Sequence, residues 1–169
     1  SSLNPWRRMW FHPRETIRYL VDTNPRYGVF WLSAAYIFQS LFFLFNFWSF
    51  GLLFPHYTLA IPTILAAPFL GLAWVSFYGW LLQRTGLCFG GRAPLSHIKA
   101  ASAWSRLPLT LALLLWGALW LKNPHEVFVQ FGPGSTVLAV QATLCILKLW
   151  TVILLVQSLR QLQQFGLLK

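Results

Sequence analysis

The chain carries four long apolar stretches, separated by short segments that are rich in glycine, proline and charged residues. Each stretch reaches the roughly 20 residues that an α-helix needs to cross the hydrocarbon of a bilayer. The pattern predicts an all-α integral membrane protein, a bundle of about four spanning helices at about residues 28–54, 59–83, 100–121 and 135–159. We expect one transmembrane domain, residues 28–169, after a separate N-terminal segment, residues 1–27.

The N-terminal segment has the pattern of an amphipathic helix. Pro13 and Glu15 suit the first turn of a helix. Ile17, Leu20 and Val21 then recur three to four positions apart, on one face. Such a helix lies along the membrane interface with its apolar face toward the lipid. Residues 126–129, in the third connection, are expected to form a second, short interfacial piece.

The distribution of charge predicts the orientation in the membrane. Eleven of the thirteen Lys and Arg residues lie in the N-terminal segment, in or beside the middle connection, or in the C-terminal tail. These three segments fall on one side of a four-span protein, and cationic loops stay in the cytoplasm. The basic N-terminal segment, the middle connection and the C-terminus are therefore predicted to be cytoplasmic.

Composition narrows the classes of partner. Apolar residues make up 57% of the chain and charged residues only 9%, so lipid is the expected solvent. The net charge of +10 then favours anionic lipid head groups as counter-ions, and nucleic acid is not expected as a partner. The candidate contacts with lipid or anions are Arg7, Arg8, Arg14, Arg18, Arg92, Lys99, Arg106 and Lys148.

Lys148 is the most informative of these cations, because it falls near the middle of the fourth predicted span. A cation at the centre of a bilayer costs at least ~2.5 kcal/mol, so it should face protein or water. A functional interpretation is a polar cavity, an anion path or a head-group site. The alternative is that the side chain snorkels, or that the span is shifted and places Lys148 nearer an edge.

Arg106 lies at the start of the third predicted span and is followed by Pro108. The span would then begin late, near Leu107. In that arrangement His97, Lys99 and Arg106 form a basic stripe at the membrane interface, where a long Arg side chain reaches the head groups.

Residues suited to catalysis or metal binding are sparse. The chain has three acidic residues, and its four histidines lie in different predicted loops without helical pairing. Cys88 and Cys145 are expected to be free thiols. The sequence therefore predicts neither an enzyme active site nor a metal site or cofactor.

Short motifs stand at residues 4–26, at residues 90–91, at residues 104–108 and around Trp150. Together they resemble the bacterial branch of the Yip membrane-protein family, whose eukaryotic members interact with Rab GTPases. The opening residues 4–26 resemble the start of that family, and the region around Trp150 resembles its later helix. The middle of the chain is similar to the family at Gly90, Gly91, Trp104, Ser105 and Pro108.

The resemblance implies a cytoplasmic N-terminus and a location in the bacterial inner membrane. It also implies a fifth spanning helix, which would begin after residue 166 and is expected to be missing or to lie beyond Lys169. Arg106 departs from the family pattern, which has small polar residues there.

Three functions follow as hypotheses. The first is a non-enzymatic scaffold, accessory subunit or lipid-organising protein, with a partner membrane protein or a second copy of itself. The second is an oligomeric transporter or channel for a small solute or anion, with Lys148 in the path. The third, an enzyme acting on lipids, would need His12, Glu15 and His97 to meet at the interface.

Overall fold

The computed structural model describes residues 4–130 and 135–163, with the side chains of residues 135–137 excepted. Its helices are α1 (Pro5–Arg8), α2 (Pro13–Thr23), α3 (Val29–Phe47), α4 (His56–Cys88), α5 (Leu95–Trp104), α6 (Leu107–Lys122) and α7 (Ser135–Gln163), with a short 3-10 turn at Phe50–Leu52. The described residues contain no strand, and the predicted all-α class is confirmed.

Four helical stretches are long and apolar enough to cross a membrane, as predicted. They are Val29–Phe47, His56–Cys88, Leu95–Lys122 and Leu138–Gln163. The third stretch, formed by α5 and α6, is the centre of the bundle, since half of its apolar window is buried against 22% to 28% for the others. Around it, α3 packs against α4 and α6, and α7 packs against α6 and α5.

Exposed tryptophans lie at both ends of α3. Trp31 is 72% exposed near the start of the helix and Trp48 is 62% exposed just after its end. A helical rise of 1.5 Å per residue separates them by about 25 Å. This separation is close to the thickness of bilayer hydrocarbon, and tryptophan is enriched at both edges of that layer.

The first span ends earlier than predicted, at Phe47 and not at residue 54. Ser49 adopts a left-handed backbone conformation, with φ of 52°, which helical residues do not share. Its hydroxyl accepts a hydrogen bond from the backbone N–H of Gln130 at 3.1 Å. Residues 48–55 therefore form a turn that packs against the third connection.

The second span is longer than predicted, because α4 covers 33 residues, about 50 Å of helix. It ends in a Schellman turn, in which Gly90 has φ of +79° and the N–H of Gly91 reaches the carbonyl of Gly86 at 2.9 Å. The positive φ explains a glycine at position 90.

The third span is divided into two helices at Ser105 and Arg106. Pro108 lies in the first turn of α6, where a backbone N–H has no partner within the helix, so the lack of one costs nothing. In a helix that continued from α5, the same position would need an N–H to donate a hydrogen bond to the preceding turn. The predicted late start near Leu107 is therefore the start of α6.

The apolar face predicted for the N-terminal helix is confirmed in α2, since Ile17, Leu20 and Val21 are buried. The surroundings of α2 differ from the prediction. Its apolar face is predicted to lie against lipid, whereas the helix packs against α5 and α7. Both arginines of α2 are exposed.

Trp104 connects the N-terminal segment to the bundle. Its buried indole N–H donates to the carbonyl of Tyr27 at 2.9 Å, and its ring lies 4.8 Å from that of Trp6. We call this end of the molecule, with α1, α2, α5 and the turn at residues 89–94, the basic end. The end with residues 48–55 and 123–130 is the opposite end.

Asn46 organises the opposite end. Its buried side-chain amide donates to the carbonyls of Val127 and Val129 at 2.9 and 3.2 Å and accepts from Gln141 at 3.0 Å. Val127 and Phe128 are fully buried as a result. The predicted interfacial piece at residues 126–129 is therefore folded inward against α3.

Candidate anion site between the spanning helices

A cavity of about 310 Å³ lies between the spanning helices and contains two cationic side chains. We call it the Arg106–Lys148 pocket. Four helices and the break between α5 and α6 supply its wall, which consists of Tyr36, Gln39, Ser40, Phe43, Trp74, Tyr78, Ser105, Arg106, Leu109, Lys148, Thr151, Val152 and Leu155.

Arg106 is the more buried of the two cations, at 5% exposed. Its guanidinium carbon lies 4.0 Å from the ring centre of Tyr36 and 4.8 Å from that of Tyr78. Cation–π contacts of this kind are strongest where water is excluded. Because two rings lie against the guanidinium, its nitrogen-bearing edge is the part left to bind a further group.

Lys148 reaches the pocket from α7. Its Nζ lies 3.4 Å from the ring centre of Phe43, so the ammonium is directed at α3 and does not extend along α7 toward an end of the span. The structure thus favours the polar cavity over snorkelling, the two interpretations that the sequence left open.

Three polar side-chain atoms at the pocket are buried without a hydrogen-bond partner among the described residues: Gln39 Nε2, Arg106 Nη1 and Thr151 Oγ1. Each such atom costs about 1–3 kcal/mol when it stays unpaired in a buried place. All three acidic side chains of the chain lie outside the spans, at Glu15, Asp22 and Glu126. The free donors and the two cations are suited to an acceptor that carries negative charge.

The other predicted contacts lie at the basic end and outside this pocket. Arg8 and Arg18 form exposed ion pairs with Glu15 and Asp22 at 3.9 and 4.0 Å. Arg14 donates to the side-chain oxygen of Gln157 at 2.6 Å. Arg7 and Arg92 are exposed.

The predicted basic stripe of His97, Lys99 and Arg106 is not formed. Lys99 donates to the hydroxyl of Ser76 at 3.0 Å and borders a separate cavity of about 440 Å³ with Arg26. Arg106 is turned away from it, because the break before α6 directs its side chain toward α3 and α4.

Sequence reasoning missed the neutral half of the pocket. Tyr36, Tyr78 and Thr151 are not among the candidate contacts that the sequence predicts. A signal was present, since Tyr36, Gln39, Ser40 and Phe43 recur at helical spacing on one face of the first span.

The motif residues of the family resemblance hold bends and close contacts. Gly90 and Gly91 end α4, and Trp104 holds the N-terminal segment. The hydroxyl of Ser105 donates to the carbonyl of Ser102 at 3.0 Å. Pro108 begins α6.

The histidines do not gather into a site of three or more ligands within the described part of the chain. Two of them, His56 and His125, meet at the opposite end with ring centres 5.6 Å apart. Cys88 and Cys145 are free and exposed.

Comparison of the chain with protein-family models, with curated proteins and with solved structures finds no match.

Proposed function

We propose that this protein is a non-enzymatic, multi-pass membrane protein that holds an acidic ligand in the Arg106–Lys148 pocket, as a lipid-organising protein or an accessory subunit. The observation that carries the proposal is Arg106, which is buried beside two tyrosine rings, has an unpaired Nη1 and shares its cavity with a second cation. A buried cation without an acidic partner is costly, and an anionic ligand removes that cost.

The proposal is tested by extraction of the protein from its native membrane in mild detergent, followed by identification of every lipid and protein that copurifies at a fixed ratio. We expect an acidic species at a constant ratio with the wild type and its loss with Arg106→Gln. Arg84→Gln is the matched control, because it removes an exposed arginine that lies outside the pocket. Equal retention by both variants, or no acidic species with the wild type, contradicts the proposal.

A second candidate function is the passage of a small anion, and the position of Lys148 in the wall of the cavity favours it. Purified protein in vesicles of neutral lipid would then release trapped chloride or phosphate, and Lys148→Met would abolish the release. Release at the rate of protein-free vesicles excludes this candidate and leaves the first in place.

We also propose that the chain belongs to the bacterial branch of the Yip family, in the inner membrane with a cytoplasmic N-terminus. The proposal is supported by the structural roles of the motif residues, because a backbone with positive φ at Gly90 and a buried indole hydrogen bond at Trp104 restrict the residue types at those positions. It is also supported by the concentration of cations at one end of the bundle.

A further inference from the structure

We infer that the Arg106–Lys148 pocket takes a terminal phosphate group, the monoester phosphate of a lipid or inorganic phosphate itself, in preference to a carboxylate or a phosphodiester. The inference rests on the proposed function and adds the chemical class of the ligand.

The charge of the pocket is the first argument. Arg106 and Lys148 contribute two positive charges, and no acidic side chain lies in any span to offset them. A carboxylate or a phosphodiester brings one negative charge and leaves one cation uncompensated in a medium where that is costly. A monoester phosphate carries about −1.5 to −2 at neutral pH and offsets both.

The number and direction of the donors are the second argument. Arg106 Nη1 and Gln39 Nε2 are unpaired donors, Thr151 adds an unpaired hydroxyl, and Lys148 adds an ammonium. Gln39 lies on α3, Thr151 and Lys148 lie on α7, and Arg106 lies at the break between α5 and α6, so the groups line the cavity from three directions. A terminal phosphate has three free oxygens for such donors, whereas a carboxylate or a phosphodiester has two.

The confinement of Arg106 by two rings is the third argument. Its guanidinium carbon lies 4.0 Å from the ring centre of Tyr36 and 4.8 Å from that of Tyr78, so the position of the guanidinium is restricted before a ligand arrives. A planar guanidinium edge matches two oxygens of one phosphate, and a lysine at this position would lose that match.

The pocket is accessible from the lipid side of the bundle. Trp74 and Val152 border it from α4 and α7 and are 39% and 56% exposed at the level of the spans. A lipid could therefore leave its acyl chains between these helices while its phosphate enters. The same wall admits inorganic phosphate if water fills the cavity, so the experiment must separate the two sources.

The test uses the full chain in nanodiscs of phosphatidylcholine. One arm adds dioleoyl phosphatidate and another adds dioleoyl phosphatidylglycerol, which shares the acyl chains but carries a phosphodiester. A third arm contains no acidic lipid and measures uptake of radiolabelled inorganic phosphate by equilibrium dialysis. Native mass spectrometry counts bound lipid for the wild type, Arg106→Gln, Arg106→Lys and Lys148→Gln, with Arg84→Gln and Lys122→Gln as exposed controls of equal charge change.

We expect at least about tenfold tighter binding of phosphatidate than of phosphatidylglycerol, lost by about tenfold or more in the three pocket variants and kept in both controls. Uptake of inorganic phosphate that depends on the same residues, without retention of phosphatidate, also supports the inference and assigns the ligand to the soluble source. Lys148→Gln removes a charge from a span and is expected to fold, so the test does not depend on the stability of the Arg106 variants.

Equal binding of phosphatidate and phosphatidylglycerol, lost in the pocket variants, overturns the inference and leaves the proposed function standing. Binding that is the same in the pocket variants and in the controls overturns both.

Discussion

At the scale of single residues, the contact between α3 and α4 depends on Gly71. A Cβ atom at this position would lie 2.7 Å from the backbone carbon and oxygen of Ser33, which is closer than atoms pack. Small residues allow helices in a membrane to approach in this way, and the backbone of a neighbouring helix cannot turn aside as a side chain can.

We expect Gly71→Ala to lower the free energy of unfolding by about 1–3 kcal/mol, because the two helices must separate to admit the methyl group. Gly117→Ala is the matched control, since a Cβ atom there meets nothing within 4 Å, and it should raise stability by about 0.5–1 kcal/mol. Denaturant titration of both variants in the same detergent measures the difference. Equal stability of the two variants would show that the helices are not in close contact at Gly71.

The two cations within the spans, Lys148 and Arg106, differ in how much of their surroundings the sequence alone predicts. Lys148 could be identified as unusual because hydropathy sets the cost of a charge in a span without any knowledge of its neighbours. Arg106 could not be placed, because its direction depends on the break that Pro108 introduces and on Tyr36 and Tyr78 from two other helices. The pocket is therefore a product of tertiary packing.

At the scale of elements, Asn46 ties the third connection to α3, together with the hydrogen bonds from Gln130 to Ser49 and from Gly51 to Phe128. Asn46 satisfies two backbone carbonyls of residues 123–130 and the amide of Gln141. Removal of the amide leaves these buried groups without their partner, at about 1–3 kcal/mol for each.

Asn46→Ala is therefore expected to release the connection while the spanning helices remain. Hydrogen–deuterium exchange of residues 123–130, followed by mass spectrometry, should become at least about tenfold faster, since protection there depends on a local opening. Asn123→Ala is the control, because its side chain bonds only within the connection, to Glu126 at 3.3 Å. Unchanged exchange in Asn46→Ala would mean that the packing of Val127 and Phe128 and the hydrogen bonds to Ser49 and Gly51 hold the connection without Asn46.

The bounds of the elements differ in how well a sequence predicts them. Four spans follow from apolar length, and the end of α4 agrees with the glycines at 90 and 91. The end of α3 cannot be predicted from apolar length, because residues 48–54 are as apolar as the helix before them. Ser49 and its hydrogen bond to Gln130 end the helix, and that partner lies 81 residues away.

At the scale of the whole molecule, the segregation of cations predicts which end faces which side. Cys88 lies at the basic end and Lys122 at the opposite end, and both are exposed. With Cys145→Ser, Cys88 is the single thiol of the chain. In membrane vesicles of known sidedness, a membrane-impermeant maleimide should label it from the cytoplasmic side only.

The complementary variant carries Cys88→Ser, Cys145→Ser and Lys122→Cys, and it should be labelled from the other side only. Detergent should expose both thiols equally, which controls for reactivity. Labelling of both from one side would contradict the four-span topology, and labelling with the sides exchanged would contradict the cytoplasmic assignment of the basic end.

The hydrogen bond between Trp104 and Tyr27 has a consequence for the order of events in biosynthesis. The two residues are 77 positions apart, and α7, the other neighbour of α2, follows later still. Because a ribosome delivers the N-terminus first, α2 is complete while its final neighbours have yet to be made. At that stage the apolar face of α2 has no protein neighbour to bury it. An amphipathic helix can bury such a face in the surface of the bilayer. We therefore expect α2 to lie on the bilayer surface in the nascent chain and to pack against α5 and α7 only in the finished protein.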